Sequence, residues 1–354
     1  MKPAGLAALA AAVTLTATLT QPPSMQWQPL DSGVTVRLRG VSAVTADVVW
    51  ASGERGTVLR TGDGGPTWQP QAIPGAEALD FRDIDAVDAH TATVLSIGPG
   101  EASRIYRTVD AGTRWTLQFV NDDPKAFLDA MAFADPARGV AVSDSVDGRF
   151  VVLLTADGGR TWTRVPAERL PPARPGEGAF AASGTNIAVH GRHIWIGTTA
   201  SRVLQSPDAG RTWRVVDTPV ATGEATGIFS IAFRNARHGV VVGGTHTREH
   251  EALDNVASTI DGGATWTRAD RVDGGLGRAR GGLSGYRSAV ASMGALGGAG
   301  WLAVGPSGAD LSTSDGYSWT PAGGEGYDAL SVAPGGRVGF ATGSRGRIAR
   351  VTMR

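Results

Sequence analysis

The sequence contains no cysteine. Thiol catalysis, disulfide bonds and cysteine-ligated metal sites are excluded together. It also lacks net charge, because 33 basic residues balance 33 acidic ones. No long-range field draws such a chain to nucleic acid or to an anionic membrane surface. Beyond the N-terminus no apolar run is long enough to span a bilayer. What is plentiful is glycine, with 50 copies, accompanied by 19 prolines. A chain of short strands and tight turns needs both. Hydrophobic residues make up 42% and charged residues 19% of the chain, a globular balance.

The first residues read MKPAGLAALAAAVTLTATLTQPPS. Lys2 is a short positive start, and Gly5 to Leu19 are apolar or small. The stretch is short and weakly hydrophobic for a membrane span. It is expected to be a secretory signal peptide over residues 1–20, cut near Thr20. The remainder, residues 25–354, is then periplasmic or secreted.

Self-similarity dominates the rest of the chain. Six segments share one pattern: TGDGGPTW, TVDAGTRW, TADGGRTW, SPDAGRTW, TIDGGATW and TSDGYSW. Their aspartates are Asp63, Asp110, Asp157, Asp208, Asp261 and Asp315, spaced by 47, 47, 51, 53 and 54 residues. In the first five, Trp follows Asp by five positions. In the sixth, Trp319 follows Asp315 by four, which predicts a turn one residue shorter. An Asp side chain can accept N–H bonds from the residues after it, Gly supplies a positive φ, and Trp opens the next strand. All six aspartates are expected to be turn-formers at hairpins, not a catalytic set.

Each repeat holds three earlier strand-like runs, rich in Val, Leu, Ile, Thr and Trp. Residues 36–44, 47–53, 57–61 and 67–71 show the layout. Four antiparallel strands per repeat describe a propeller blade. After Trp319 the chain supplies three more strands and stops, while the run MQWQPL at 25–30 is spare. Pairing it with the last strand closes the ring and removes the exposed edges. The expectation is an all-β, seven-bladed propeller. Seven of the ten Trp then fall on outer strands, with Trp27 the seventh, and Trp50, Trp195 and Trp301 fall on second strands.

These turns are identified as Asp-box, or BNR, repeats. Over the mature chain they resemble the photosystem II stability/assembly factor-like propellers. That resemblance implies an exported or lumenal seven-bladed propeller that binds partner proteins. The segments LDFRDIDAVDA, GEGAFAASGT and SGYRSAV resemble a bacterial branch loosely labelled oxidoreductase or glycosyl hydrolase. The sequence shows no nicotinamide or flavin fingerprint, and no cofactor or metal is expected. Asp-boxes also occur in six-bladed sialidases, whose FRIP start is partly matched by FRDI at 81–84, without the Pro.

Aligning the innermost strands places Arg39, Arg82, Asp129, Thr185, Phe229, Arg287 and Asp328 at one equivalent position, around one mouth of the central channel. Arg offers paired donors to a carboxylate. The ring could hold an anion or a mixed-charge peptide, or its members could pair with each other as a polar plug. Loops on the same face add Glu101, Asp144, Asp147 and the long segment 171–185, with Glu177 and Phe180 expected at the rim or, alternatively, solvated and packed. Two functions arise from different classes. One is a protein-binding scaffold in the cell envelope, using this mouth. The other is a carbohydrate-active enzyme on an anionic glycan, with Glu177 or Asp129 as acid or base.

Two short motifs compete with that reading. His246, Glu249 and His250 spell H-x-x-E-H, an inverted zinc-protease signature. They fall between two strands of the fifth blade, with no room for the long helix such a site needs, so a surface loop is expected. Residues 273–282 carry Gly275, Gly277 and Gly281, yet no helix pattern comes after them, so a flexible loop is expected rather than a phosphate cradle.

Overall fold

A computed structural model describes residues 25–273, 277–280, 282–296 and 298–353. The segment expected to be a signal peptide lies outside them. Apart from three short 3-10 turns, the described chain is strand and loop. No described helix is long and apolar enough to cross a membrane.

The strands form seven sheets arranged as the blades of a propeller. The innermost strands are Leu38–Ala43, Asp80–Ala86, Leu128–Phe133, Ile187–His190, Thr226–Phe233, Ala289–Met293 and Ala329–Val332. In each blade the next three strands succeed one another outward, every one antiparallel to its neighbour. Aliphatic residues from facing blades interdigitate. Val140, Val142 and Val152 of blade 3, for example, share a cluster with Ile187, Ile196 and Leu204 of blade 4. Each such side chain, fully buried, stabilises the fold by about 1.5–3 kcal/mol.

The ring closes through the chain ends. Met25–Leu30 pairs antiparallel with Ile348–Met353 and is the outer strand of blade 7. Trp27 stacks on Tyr327 with ring centroids 5.2 Å apart, and its Nε1 donates to the Ala322 carbonyl at 3.0 Å.

Five of the six repeated turns share one backbone bonding pattern, and four of those add a Thr hydroxyl that in the second turn is replaced by Arg114. In the fourth, the Asp208 carboxylate accepts from Thr212 N at 2.8 Å and Thr212 Oγ1 at 2.7 Å, and Ser206 Oγ accepts from Gly210 N at 2.8 Å. The sixth corrects the expectation for Asp315. Here Ser314 is the acceptor, taking Ser318 N at 2.9 Å, and Ser312 takes Gly316 N at 3.0 Å. Trp319 therefore comes five residues after the acceptor, as in the other turns, and this turn is not shortened. Asp315 is released to accept two bonds from Arg234 of blade 5, at 3.0 and 2.7 Å.

Blade 6 also departs from expectation. Asp270–Asp273 and Gly277–Arg280 form two further strands, and the first runs parallel to the outer strand Ser318–Gly323. The Gly277 region is thus a sheet extension, not a loop. Gly275 and Gly281 lie outside the described residues.

Candidate functional site

Four inner strands carry a register shift near their starts. The pairing skips from Leu38 to Gly40, from Phe81 to Asp83, from Leu128 to Ala130 and from Ile228 to Ser230. The extra residues are Arg39, Arg82, Asp129 and Phe229. A bulge leaves one residue unpaired and re-aims its side chain. Four of the seven aligned positions are therefore bulge residues, and all four line one cavity at the channel mouth.

The cavity is about 430 Å³, within the range of ligand pockets. Its floor was not legible in the sequence. Residues 179–185, expected at the rim, fold down into the channel and plug it. Ala181 accepts from Arg82 Nη1 of blade 2, the Ser183 hydroxyl donates to the Ser288 carbonyl of blade 6 at 2.7 Å, and Thr185 Oγ1 meets Ser230 Oγ of blade 5 at 2.7 Å. Gly184, at φ +72°, lies against the Asp83 carboxylate, where a Cβ would clash. The mouth is a blind pocket.

Its wall divides into sectors. Blades 1 and 2 contribute Arg37, Arg39 and Arg82. Arg37 binds Asp328 of blade 7 through two bonds, at 2.8 and 2.7 Å. Arg39 is 3.8 Å from the same carboxylate, and among the described residues its Nε has no partner. Burial, reinforced by the neighbouring Arg82 guanidinium, lowers Arg39 to about 10, so it stays charged at neutral pH. Arg82 is anchored by Asp80 at 2.8 Å.

Blade 3 contributes the acidic sector. Asp129 is 1% exposed and its Oδ2 has no hydrogen-bond partner among the described residues. Burial, and then the adjacent Asp144 carboxylate, hold its carboxyl well above the usual range. Burial also raises Asp144, opposed by the Ala179 N–H that it accepts at 2.9 Å. The third sector is aromatic. Phe180 of the plug stacks on Phe229 with centroids 3.6 Å apart, and Tyr286 meets Phe229 edge-on at 4.6 Å. Tyr286 was missed by the strand alignment, which selected its neighbour Arg287.

Arg287, Asp328 and Glu177 do not line the cavity. Arg287 is 1% exposed and bonded to Asp310 at 2.8 Å, to Ser284 Oγ at 2.7 Å and to its neighbour's carbonyl. Its inner strand has no bulge to turn it inward. Glu177 is buried under the plug. Its carboxylate pairs with Arg202 and accepts from Thr198 Oγ1 and Arg174 N, each at 2.7 Å. Burial opposes its ionisation, but these donors outweigh burial and hold the carboxyl low. Glu177 is a bracket for the plug rather than a rim charge. Asp147 pairs with Lys125 on the surface, and the Glu101 carbonyl accepts from Arg104.

The H-x-x-E-H segment forms turns, not a helix. His246 lies at the cavity edge, 5.8 Å from the Phe229 ring centroid. The backbone carbonyl of Glu249 accepts from Tyr286 N and Ser307 Oγ, both at 2.9 Å. Among the described residues no group of three or more His, Asp or Glu is placed to hold a metal.

No family model matches the sequence. The photosystem II assembly protein Ycf48 of Synechococcus sp. (strain JA-2-3B'a(2-13)) is 23% identical to it, over 55% of this chain and 78% of that protein. A solved structure described as YCF48 bound to D1 peptide superposes with a TM-score of 0.63 at 14% identity, covering 92% of this chain and 96% of that one. YCF48 from Cyanidioschyzon merolae gives a TM-score of 0.41 at 15% identity, covering 92% and 98%. The chain is a propeller similar to the photosystem II assembly factors, as the repeats imply.

Proposed function

We propose that this chain is an exported scaffold that holds a segment of a partner protein in the blind pocket at the channel mouth. The observation that carries the reading is Arg39. A bulge aims it at the cavity, it is charged and largely buried, and among the described residues its Nε is left unpartnered. Its terminal nitrogens make no hydrogen bond among the described residues and stay open to the cavity, so an incoming acceptor can pair with them. Arg82 beside it makes the sector suited to a carboxylate. The likeness to Ycf48, and to a propeller solved with a bound peptide, supports a polypeptide as the ligand. The apolar N-terminal stretch supports export.

Affinity capture from the cell envelope, read by quantitative mass spectrometry, tests this. The mature chain is compared with an Arg39→Ala/Arg82→Ala double variant. A protein retained by the first and lost by the second is the expected result. Equal retention by both removes the mouth from the account, and the absence of the chain from the envelope fraction removes export.

A carbohydrate-active reading has narrower support. Glu177 is sealed against Arg202 and cannot reach a substrate. That leaves Asp129 and Asp144 as the carboxyl pair at the mouth, with burial pushing Asp129 upward, the direction a general acid needs. Hydrolysis of an anionic glycan that is abolished by Asp129→Asn would establish it, and a screen without turnover would end it.

A further inference from the structure

The basic sector explains how the pocket takes a carboxylate. It does not explain Asp129. An aspartate buried at the same mouth, beside a second aspartate, is costly unless something answers it. Among the described residues nothing does. The backbone clips seen deeper in the channel, where Asp83 accepts from Met131 N and Asp85 from Phe133 N, have no counterpart at Asp129. Among the described residues no hydrogen bond reaches either Asp129 oxygen. Asp144 uses only its Oδ1, for Ala179 N. Asp129 thus lines the cavity as a buried carboxyl without a hydrogen-bond donor among the described residues, and Asp144 beside it keeps Oδ2 without one.

We propose that Asp129 and Asp144 form a cation subsite for a primary ammonium, so that the pocket selects a polypeptide segment with a lysine close to an acidic side chain. The inference rests on the peptide-binding reading of the mouth and names the second charge that the ligand carries. An ammonium presents three donors and no acceptor, which suits a pair of carboxyl groups short of donors. A hard metal cation matches less well. Calcium takes six to eight oxygens, and Arg37, Arg39 and Arg82 repel it from the same cavity. The aromatic sector formed by Phe180, Phe229 and Tyr286 gives the lysine stem an apolar wall to lie on.

Titration calorimetry on the mature chain at low ionic strength tests the subsite with three capped tripeptides: Glu-Gly-Lys, Glu-Gly-norleucine and Gln-Gly-Lys. The expected result is that Glu-Gly-Lys binds about tenfold tighter than Glu-Gly-norleucine, as a charge-assisted contact implies. Asp129→Asn is expected to erase that difference while leaving Glu-Gly-norleucine bound. Asp144→Asn is the second variant, should Asp129→Asn fail to fold. Equal binding of Glu-Gly-Lys and Glu-Gly-norleucine overturns the subsite while the carboxylate reading stands. No binding by any peptide overturns both. A calcium-dependent rise in melting temperature that is absent from Asp129→Asn overturns the ammonium in favour of a metal.

Discussion

Single carboxylates here differ by what surrounds them. Asp85 is partly buried at the channel wall, and desolvation there raises its carboxyl to about 6 against the pull of the Phe133 N–H. The unfolded chain titrates the same group near about 3.9. Between those values the folded state keeps a proton that the unfolded chain has released. The contribution of Asp85 is therefore fully present below about pH 4 and is lost as pH rises through about 6, a change of about 2–3 kcal/mol. Urea denaturation at stepped pH should show a shallower fall for Asp85→Asn than for wild type over this window. Identical slopes would mean that the carboxyl is solvated.

Glu177 is the opposite case, an acid kept ionised by Arg202. No periodicity in the sequence could separate the two, because the path of the 171–185 loop is set by contacts with four other blades. The mouth arginines were legible for a different reason. A bulge recurs at one strand position, so alignment of the strands found it. Where the inner strand has no bulge, as in blade 6, the alignment selected Arg287 and missed Tyr286.

At the scale of elements, the repeated turns were legible in place and misread at one residue. The sixth turn carries Ser314 where the others carry Asp, and the adjacent Asp315 mimics the pattern. The structure gives the two residues separate jobs. Replacing Ser314 with Ala removes the acceptor for Ser318 N and should cost about 1 kcal/mol. Asp315→Ala should act through Arg234 instead. A double-mutant cycle with Arg234→Ala, read by denaturant midpoint, should show a coupling of about 0.5–1 kcal/mol. Additive effects would show that the inter-blade bridge contributes nothing.

The closing strand is the element that the count of Asp turns cannot show, since six turns serve seven blades. Its spare run and its Trp revealed it. Trp27 is half-buried against Tyr327, so Trp27→Ala should cost about 2–3 kcal/mol, below the 3–5 expected of a fully buried Trp. A thermal melt would register this as a clear drop. No drop would contradict closure by this strand.

At the scale of the molecule, the ring does two things that the repeats alone do not. It removes sheet edges, and it gathers one residue from each of several blades at a common mouth. Blades 1 and 2 supply cations, blade 3 supplies acids, and blades 5 and 6 supply aromatic rings. The blade count and ring closure were legible because each blade repeats a local pattern. The blind end of the pocket was not legible, because a single non-repeating loop makes it. The far face, by contrast, carries the repeated turns, each tied back to its own blade, as where Gly64 N donates to the Asp47 carbonyl at 2.9 Å. That face is built for rigidity.

The central claim is therefore about which face meets the partner, and site-specific photocrosslinking in cells tests it most directly. Benzoylphenylalanine is placed at His246, at the exposed edge of the pocket, and separately at Thr161, in a far-face turn. The account predicts a discrete crosslinked protein from His246 that disappears with Arg39→Ala/Arg82→Ala, and none from Thr161. A crosslink from Thr161 alone, or one from His246 that survives loss of both arginines, would contradict it.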